Sequence, residues 1–167
     1  MDLQVEIDSS GDALQVKLRG SLSEFSEEAL SVLHKYAQQA VTINFADLEQ
    51  LNSSGVRVWT FFISAFAAKR RVTFTQCPEI MVSQFAMIPQ VSKGCEVSSV
   101  IGRFRCDHCH KVCKRLYDLS SLRQAGELLD ADASWPCSVC GQAMETLEDE
   151  TFFDFINEGL DPKGITP

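Results

Sequence analysis

Four cysteines form two pairs with the same internal spacing, Cys106-x-x-Cys109 and Cys137-x-x-Cys140. Two thiolates at this spacing can approach one ion from a single turn, and two such turns supply the four ligands of a tetrahedral site. Zn²⁺ has no geometric preference that opposes this arrangement, and four protein ligands close the site to substrate. The pattern therefore predicts a structural metal site, with free buried thiols as the alternative.

Other side chains near the first pair could replace one of these ligands. Cys113, His108 and His110 follow within a few positions, but each breaks the paired spacing. Residues 103–167 are too few to build a secure core by themselves, so metal binding should supply much of their folding free energy. We therefore expect the two cysteine pairs to hold together a small C-terminal module.

A second group of reactive side chains lies in the sequence LNSSGVRVW, residues 51–59, where an apolar strand meets an apolar helix. A serine at a helix start caps an orphan amide, and the same amides and helix dipole also favour a phosphate. Both interpretations stay open for Ser53 and Ser54, and Gly55 either completes the motif or only permits close packing. Because successive residues of a helix are rotated by about 100°, we expect Ser53 to face solvent and Ser54 to turn inward or to cap the helix.

The helix that follows, predicted over residues 54–68, is more apolar than a helix resting on one sheet requires. Its apolar side chains fill an arc of about 220°, although a stripe of about 100° would suffice. Trp59 and Phe61 flank this arc and are the expected extra contacts, either within the chain or with another molecule. The predicted partner surface consists of Asn52, Ser53, Ser54, Arg57 and Phe61.

The remaining patterns predict an α/β protein. Alternating residues indicate a hairpin over 3–19, and helical spacing follows over 21–40. Mostly apolar strands are predicted at 41–45, 71–77 and 96–104, with a third helix at 78–88 and ribbon strands with a loop over 110–136. A terminal helix carries Phe152, Phe153 and Ile156 on one face and several acidic residues elsewhere. The expected architecture is a mixed sheet flanked by helices, residues 1–102, followed by a small module, residues 103–167.

This element order and the sequence VTINFADLEQLNSSGVRVW resemble the STAS domain, the fold of anti-sigma-factor antagonists. The resemblance covers residues 1–102 and implies a bacterial protein without catalysis that works by binding protein partners. In regulated members of that family, the serine after the aspartate of an Asp-Ser-Ser/Thr-Gly signature is phosphorylated by a partner kinase. That position corresponds to Ser53, and Asn52 stands where the family has aspartate.

The C-terminal module resembles a zinc ribbon. The sequence WPCSVCG also resembles the second metal-binding turn of rubredoxins, which hold iron with similar spacing. The first turn departs from the rubredoxin pattern, because His110 follows Cys109 where a glycine is expected. We therefore predict structural Zn²⁺ rather than redox iron.

Charge and composition narrow the classes of function. The chain has 167 residues, a net charge of −8 and 45 % hydrophobic residues, which is enough for a packed core and argues against anionic partners. No targeting or membrane-spanning segment is visible, and cysteine pairs of this kind suit a reducing compartment. These features predict a cytoplasmic protein that does not bind membranes.

Three functions can be considered for a protein with these sequence features. The first is a non-enzymatic regulatory or scaffold protein whose partner is an anti-sigma factor, a kinase or a signalling scaffold, with homo-oligomerisation left open. The second is a nucleic-acid-binding zinc ribbon that uses the basic residues at the start of the module, which are Arg103, Arg105, Lys111, Lys114 and Arg115. The third is an enzyme. No nucleophile with a local base and no phosphate loop can be assembled, so the first function is favoured and an enzyme is not expected.

Overall fold

The chain builds two sheets, and the computed structural model describes residues 2–126, 128–129 and 134–160. The strands and α-helices occur in the following order: β1 (Gln4–Asp8), β2 (Ala13–Leu22), α1 (Glu27–Ser31), β3 (Ala40–Leu51), α2 (Ser53–Ala67), β4 (Arg71–Thr75), β5 (Cys77–Pro78), α3 (Glu79–Met87), β6 (Cys95–Val97), β7 (Ser99–Cys106), β8 (Val112–Asp118), α4 (Leu119–Ala125), β9 (Trp135–Pro136), β10 (Ala143–Thr146) and α5 (Glu150–Leu160). Part of the predicted ribbon loop, residues 127 and 130–133, lies outside the described residues.

The first sheet has the strand order β1-β2-β3-β4-β6. β1 pairs antiparallel with β2, which confirms the predicted hairpin, and the other neighbours are parallel. Parallel strands need helical connections that cover the faces of the sheet, so their central residues are buried. Ile43, Phe45 and Phe74 have no exposed surface. The mixed α/β class with a helix-flanked sheet is thus confirmed.

The first helical segment is shorter than predicted over residues 21–40. Only α1 is α-helical, and 3₁₀ turns at Glu24–Ser26 and Val32–Lys35 flank it. Ser23 caps the first of these turns through a capping box with Ser26. The 3₁₀ turn at Val32–Lys35 ends at an extended Tyr36, whose carbonyl accepts a hydrogen bond from the Arg70 guanidinium at 3.0 Å. The helical segment therefore ends where Tyr36 contacts Arg70, and the spacing of apolar residues in the sequence does not show this contact.

The strand predicted at 41–45 is longer in the structure. β3 continues through the polar segment ADLEQL and ends at Leu51. This extension pairs with the end of β2, whose register shifts between Lys17 and Arg19 and again between Gly20 and Ser21. Such bulges add twist and let two strands stay paired without regular alternation. Because of this extension, α2 begins almost immediately after β3 ends.

The strand predicted at 96–104 divides between the two sheets. β6 pairs with β4 in the first sheet, whereas β7 begins two residues later and belongs to the second. β7 pairs antiparallel with β8 on one side and with β10 on the other, and β9 pairs with β10. Gly102, at the predicted domain boundary, lies inside β7. The division at this residue stays a prediction.

The second module also contains a helix that the sequence did not indicate. Residues after β8 were expected to form ribbon strands or a loop, but Leu119–Ala125 forms α4. The Asp118 side chain accepts a hydrogen bond from the Ser121 amide, and Gly126 ends the helix in a left-handed conformation with φ of 67°. Both features are common at helix ends. The helix was not predicted because the segment between them is short and has few apolar residues.

One hydrophobic core joins the two sheets. Phe152, Phe153 and Ile156 of α5 are buried, in agreement with the predicted shared face. The Phe85 ring of α3 lies 5.7 Å from the Phe155 ring of α5, so the terminal helix contacts the helices of the first sheet. Among the residues that the structure describes, no helix is long and apolar enough to span a bilayer.

Candidate functional site

The four paired cysteines come together at one end of the second sheet. Cys106 lies at the end of β7, and the Sγ atoms of all four residues are within 4.8 Å of one another. The closest pairs are Cys106 with Cys140 at 3.4 Å and Cys109 with Cys137 at 3.5 Å, which are not disulfides. A tetrahedral ion with Zn–S bonds of about 2.3 Å separates its sulfur ligands by about 3.8 Å. The cluster therefore fits a four-coordinate metal ion.

The two cysteine turns have the same backbone design. In each, the amide of the first cysteine donates to a carbonyl five residues later, and the amide four residues later donates back to the cysteine carbonyl. The first pair of bonds measures 2.9 and 2.7 Å, and the second measures 2.8 and 2.8 Å. Matching turns of this kind place two thiolates on the same side, which is what a shared ion requires.

His110 takes the conformation that glycine takes in the second turn. Its φ is 58°, and the φ of Gly141 at the equivalent position is 73°. A side chain in this left-handed region costs about 1 kcal/mol, which the turn tolerates. The sequence difference at His110 is therefore not a difference of geometry. The geometry of the first turn does not distinguish zinc from rubredoxin-like iron, and the choice of zinc stays a prediction.

Hydrogen bonds and burial shift the pKa values of the clustered cysteines in opposite directions. The Val139 amide donates to the Cys137 Sγ atom at 3.5 Å, and this bond together with one from the Cys140 amide lowers the pKa of Cys137 to about 6. Against a hydrogen bond from the Lys111 amide, burial and the neighbouring Cys137 sulfur raise the pKa of Cys109 to about 12. The Cys137 thiol is then largely ionised at neutral pH, and a metal ion binds the thiolate form. Burial instead raises the pKa of Cys95 to about 12. Within the described residues, the ligand cluster contains the four paired cysteines and neither Cys113, His108 nor His110.

A buried carboxylate connects the strand that leads to Cys106 with the end of the module. The Glu148 side chain is completely buried and accepts hydrogen bonds from the Arg103 backbone amide at 2.6 Å and from Arg103 Nε at 3.0 Å. A second guanidinium nitrogen lies 3.2 Å from the other carboxylate oxygen. The Leu147 amide also donates to the Arg103 carbonyl. This clamp aligns β7 with the segment between β10 and α5.

We expect Arg103→Ala to destabilise the protein by about 2 kcal/mol, because it leaves the Glu148 carboxylate buried without its cation. Arg105→Ala is the matched control, since its partner Asp107 is exposed and that ion pair contributes less than about 1 kcal/mol. Urea unfolding of both variants measures the difference. Equal midpoints would contradict the assigned role of the clamp.

The start of α2 is organised by Asn52. Its side-chain oxygen accepts a hydrogen bond from the Gly55 amide at 2.7 Å, and its amide group donates to Glu24 at 3.3 Å. Ser54 was expected to face inward or to cap the helix, but it is exposed and Asn52 is the cap. Ser53 occupies the first helical position and is exposed. Both serines are thus exposed at the start of α2, and neither of them caps the helix.

The two expected flanks of the α2 apolar arc have opposite environments. Trp59 is buried by the chain's own elements, and its indole donates to the Val91 carbonyl at 3.0 Å, so it is not an external contact. Phe61 is 70 % exposed, and the Arg57 guanidinium lies 5.8 Å from its ring centre. The predicted partner residues Asn52, Ser53, Ser54, Arg57 and Phe61 are all exposed along one helix.

Three of the five basic residues at the start of the module have contacts within the chain. Arg103 binds Glu148, the Arg105 Nε atom lies 3.1 Å from Asp107, and the Arg115 guanidinium lies 3.3 Å from the centre of the Trp135 ring. A cation held by a carboxylate has less charge to offer a phosphate. Carboxylates thus balance the charges of Arg103 and Arg105, which makes this surface less basic than its sequence suggests.

Comparison with known proteins gives no family assignment. No protein-family model matches the chain, and a search of curated proteins finds no match either.

Proposed function

We propose that the chain is a non-enzymatic regulatory or scaffold protein that binds a protein partner through the tip and exposed flank of α2. The observation that carries the proposal is the arrangement at this tip. Ser53 is exposed at the first helical position, and Phe61 is exposed two turns further along the same helix. Phe61 lines a groove together with the apolar side chains of Val58, Phe62 and Ala65, and a contiguous apolar patch rimmed by polar residues is typical of a docking surface.

The resemblance to a STAS domain supports this proposal. One antiparallel strand followed by parallel strands with helical connections suits such a domain, and α2 begins where the family signature places its regulated serine. The family aspartate corresponds to the helix cap, and asparagine caps a helix as well as aspartate does. The replacement at Asn52 therefore keeps a capping side chain at the tip. A partner of the anti-sigma-factor, kinase or signalling-scaffold type in a bacterial cytoplasm is consistent with this arrangement.

The proposed role of the metal is structural, and the proposed ion is zinc. Four thiolates leave no open position for substrate, and a reducing cytoplasm keeps them available. The nucleic-acid alternative is weaker, because contacts within the chain engage Arg103, Arg105 and Arg115. Phosphorylation of Ser53 would place nearly two negative charges at the tip and change a partner contact there.

Comparison of charge variants in α2 tests the proposal. The wild type, Ser53→Asp, Phe61→Ala and the control Ser64→Asp are used as bait in extracts of the source cell, and bound proteins are quantified by mass spectrometry. Ser64 is an exposed serine on the same helix, away from the tip. We expect a partner that Ser64→Asp retains and that Ser53→Asp and Phe61→Ala each lose about tenfold, which corresponds to about 1.4 kcal/mol. Equal recovery by all four proteins would contradict the proposed surface.

A further inference from the structure

We propose that two copies of this chain associate through β8, paired antiparallel about a two-fold axis at Leu116, so that the second sheet continues from one copy into the other. Among the described residues, β8 has a hydrogen-bonded neighbour on one side only, which is β7. Its other side offers main-chain amides and carbonyls to a further strand. This inference goes beyond the proposed function, because it concerns a homotypic contact on the second sheet.

The side chains of β8 alternate between the two faces of the sheet. Val112, Lys114, Leu116 and Asp118 are exposed, and the residues between them are half-buried or buried. Val112 and Leu116 keep 49 % and 54 % of their surface exposed. The exposed face of this edge strand therefore reads apolar, basic, apolar and acidic along the chain.

This face is complementary to its own reverse. In an antiparallel pair centred on Leu116, the two Leu116 side chains face each other, and Lys114 of each copy lies opposite Asp118 of the other. Directly opposite side chains have Cβ atoms about 5 Å apart, which allows an apolar contact at the axis and an ion pair on each side of it. A strand that complements β8 must read basic, apolar and acidic at alternate positions, and β8 itself has this pattern.

Neighbouring registers are excluded by charge. A pair centred on Lys114 sets the two copies of that lysine against each other, and a pair centred on Arg115 does the same with two guanidinium groups. Like charges directly opposite each other destabilise a sheet. The charges of β8 therefore select the register centred on Leu116.

Asp118 retains the capacity for this contact although it also caps α4. Its Oδ1 atom accepts hydrogen bonds from the Ser120 hydroxyl at 2.6 Å and from the Ser121 amide at 2.8 Å. These bonds lower the pKa of the Asp118 carboxyl, so it is ionised at neutral pH. A carboxylate accepts hydrogen bonds at both of its oxygens, so Oδ2 can face Lys114 of the second copy.

The other charges beside Lys114 are balanced within the chain. Arg103 and Arg105, the cations next to this face on β7, are already bound by carboxylates. Asp47 of β3 also attracts Lys114, but its carboxylate already binds Lys17 at 2.7 Å. The Lys114 ammonium group thus remains available to a carboxylate of the second copy.

The other edges of the described sheets are less suited to self-pairing. β1 carries Glu6 and Asp8 and no cation, so a second β1 would bring like charges together. β5 and β9 have two residues each, and β6 has three, whereas β8 has seven. Charge and shortness are common protections of edge strands, and β8 has neither of them.

Sedimentation of the purified full-length chain at about 1–100 μM tests the proposal. The wild type should show twice the chain mass, and Leu116→Lys should show the chain mass, because two like charges then meet at the axis. Val112→Lys is the matched control, since Val112 is similarly exposed on the same face but lies outside the paired residues 114–118. It should dimerise as the wild type does. A monomeric wild type would overturn the proposal, as would a dimer that Leu116→Lys leaves intact.

A mixture of two charge variants makes the test specific for the register. Leu116→Glu alone should also be monomeric, and an equimolar mixture with Leu116→Lys should restore the doubled mass, because opposite charges then meet at the axis. Leu116 is more than half exposed, so neither substitution buries a charge in the free chain. A mixture that stays monomeric would overturn the register centred on Leu116. No partner protein enters these measurements, so their failure is separate from failure of the proposed function.

Discussion

Cys106→Ser is expected to abolish stoichiometric metal binding and to unfold the part of the chain built on the second sheet. Cys106 is buried at the end of β7, and its Sγ atom is 3.4 Å from that of Cys140. Structural zinc sites contribute about 10–16 kcal/mol to the folding of small domains, and a three-thiolate site loses much of this. The effect should therefore exceed that of any single substitution outside the cluster.

Metal content and urea unfolding of the purified variant measure this loss. Cys113→Ser is the matched control, because Cys113 is half-buried on β8 and does not belong to the ligand cluster. The control should keep its metal and nearly the wild-type unfolding midpoint. A Cys106→Ser protein with one equivalent of metal and an unchanged midpoint would show that the cluster does not stabilise the module.

Gly55→Ala is expected to cost about 3 kcal/mol or more, although alanine is the better helix former by about 1 kcal/mol. A methyl group at Gly55 would overlap the carbonyl of Leu22 and come within 2.8 Å of the Ser23 nitrogen. These are backbone atoms at the end of β2, so they cannot move aside as a flexible side chain can. The start of α2 would have to separate from the sheet.

The matched control for this substitution is Gly11→Ala. A methyl group there would meet its nearest atom at 3.9 Å, which is an ordinary contact, and the cost should stay within about 0.5 kcal/mol. Urea unfolding compares the two variants on the same scale. If Gly55→Ala is as stable as Gly11→Ala, the close approach of α2 to β2 is not what the glycine provides.

The regular parts of the fold could be predicted from periodicity. The alternation in β1 and β2 and the apolar spacing in α2 each reflect one buried face, and burial is what periodicity records. The end of β3 could not be predicted in this way. Its polar residues stay extended because they pair with a bulged strand, and the sequence of β3 carries no sign of that partner.

The cysteine cluster was predictable for a different reason. A pair of cysteines two residues apart belongs to one turn, so local spacing already contains the geometry of half the site. Glu148 was not predictable, because it lies in a run of acidic residues and only the sheet register brings it to Arg103. The cap at Asn52 could not be singled out from the sequence, because the serines beside it are equally preferred at this position.

Elemental analysis of protein purified without added metal tests the central claim most directly, namely that four thiolates hold one structural ion on which the second module depends. We predict one equivalent of zinc per chain, bound by Cys106, Cys109, Cys137 and Cys140. One equivalent of iron with visible absorbance would replace the structural zinc site by a rubredoxin-like one. Less than about half an equivalent of any metal would contradict the claim itself.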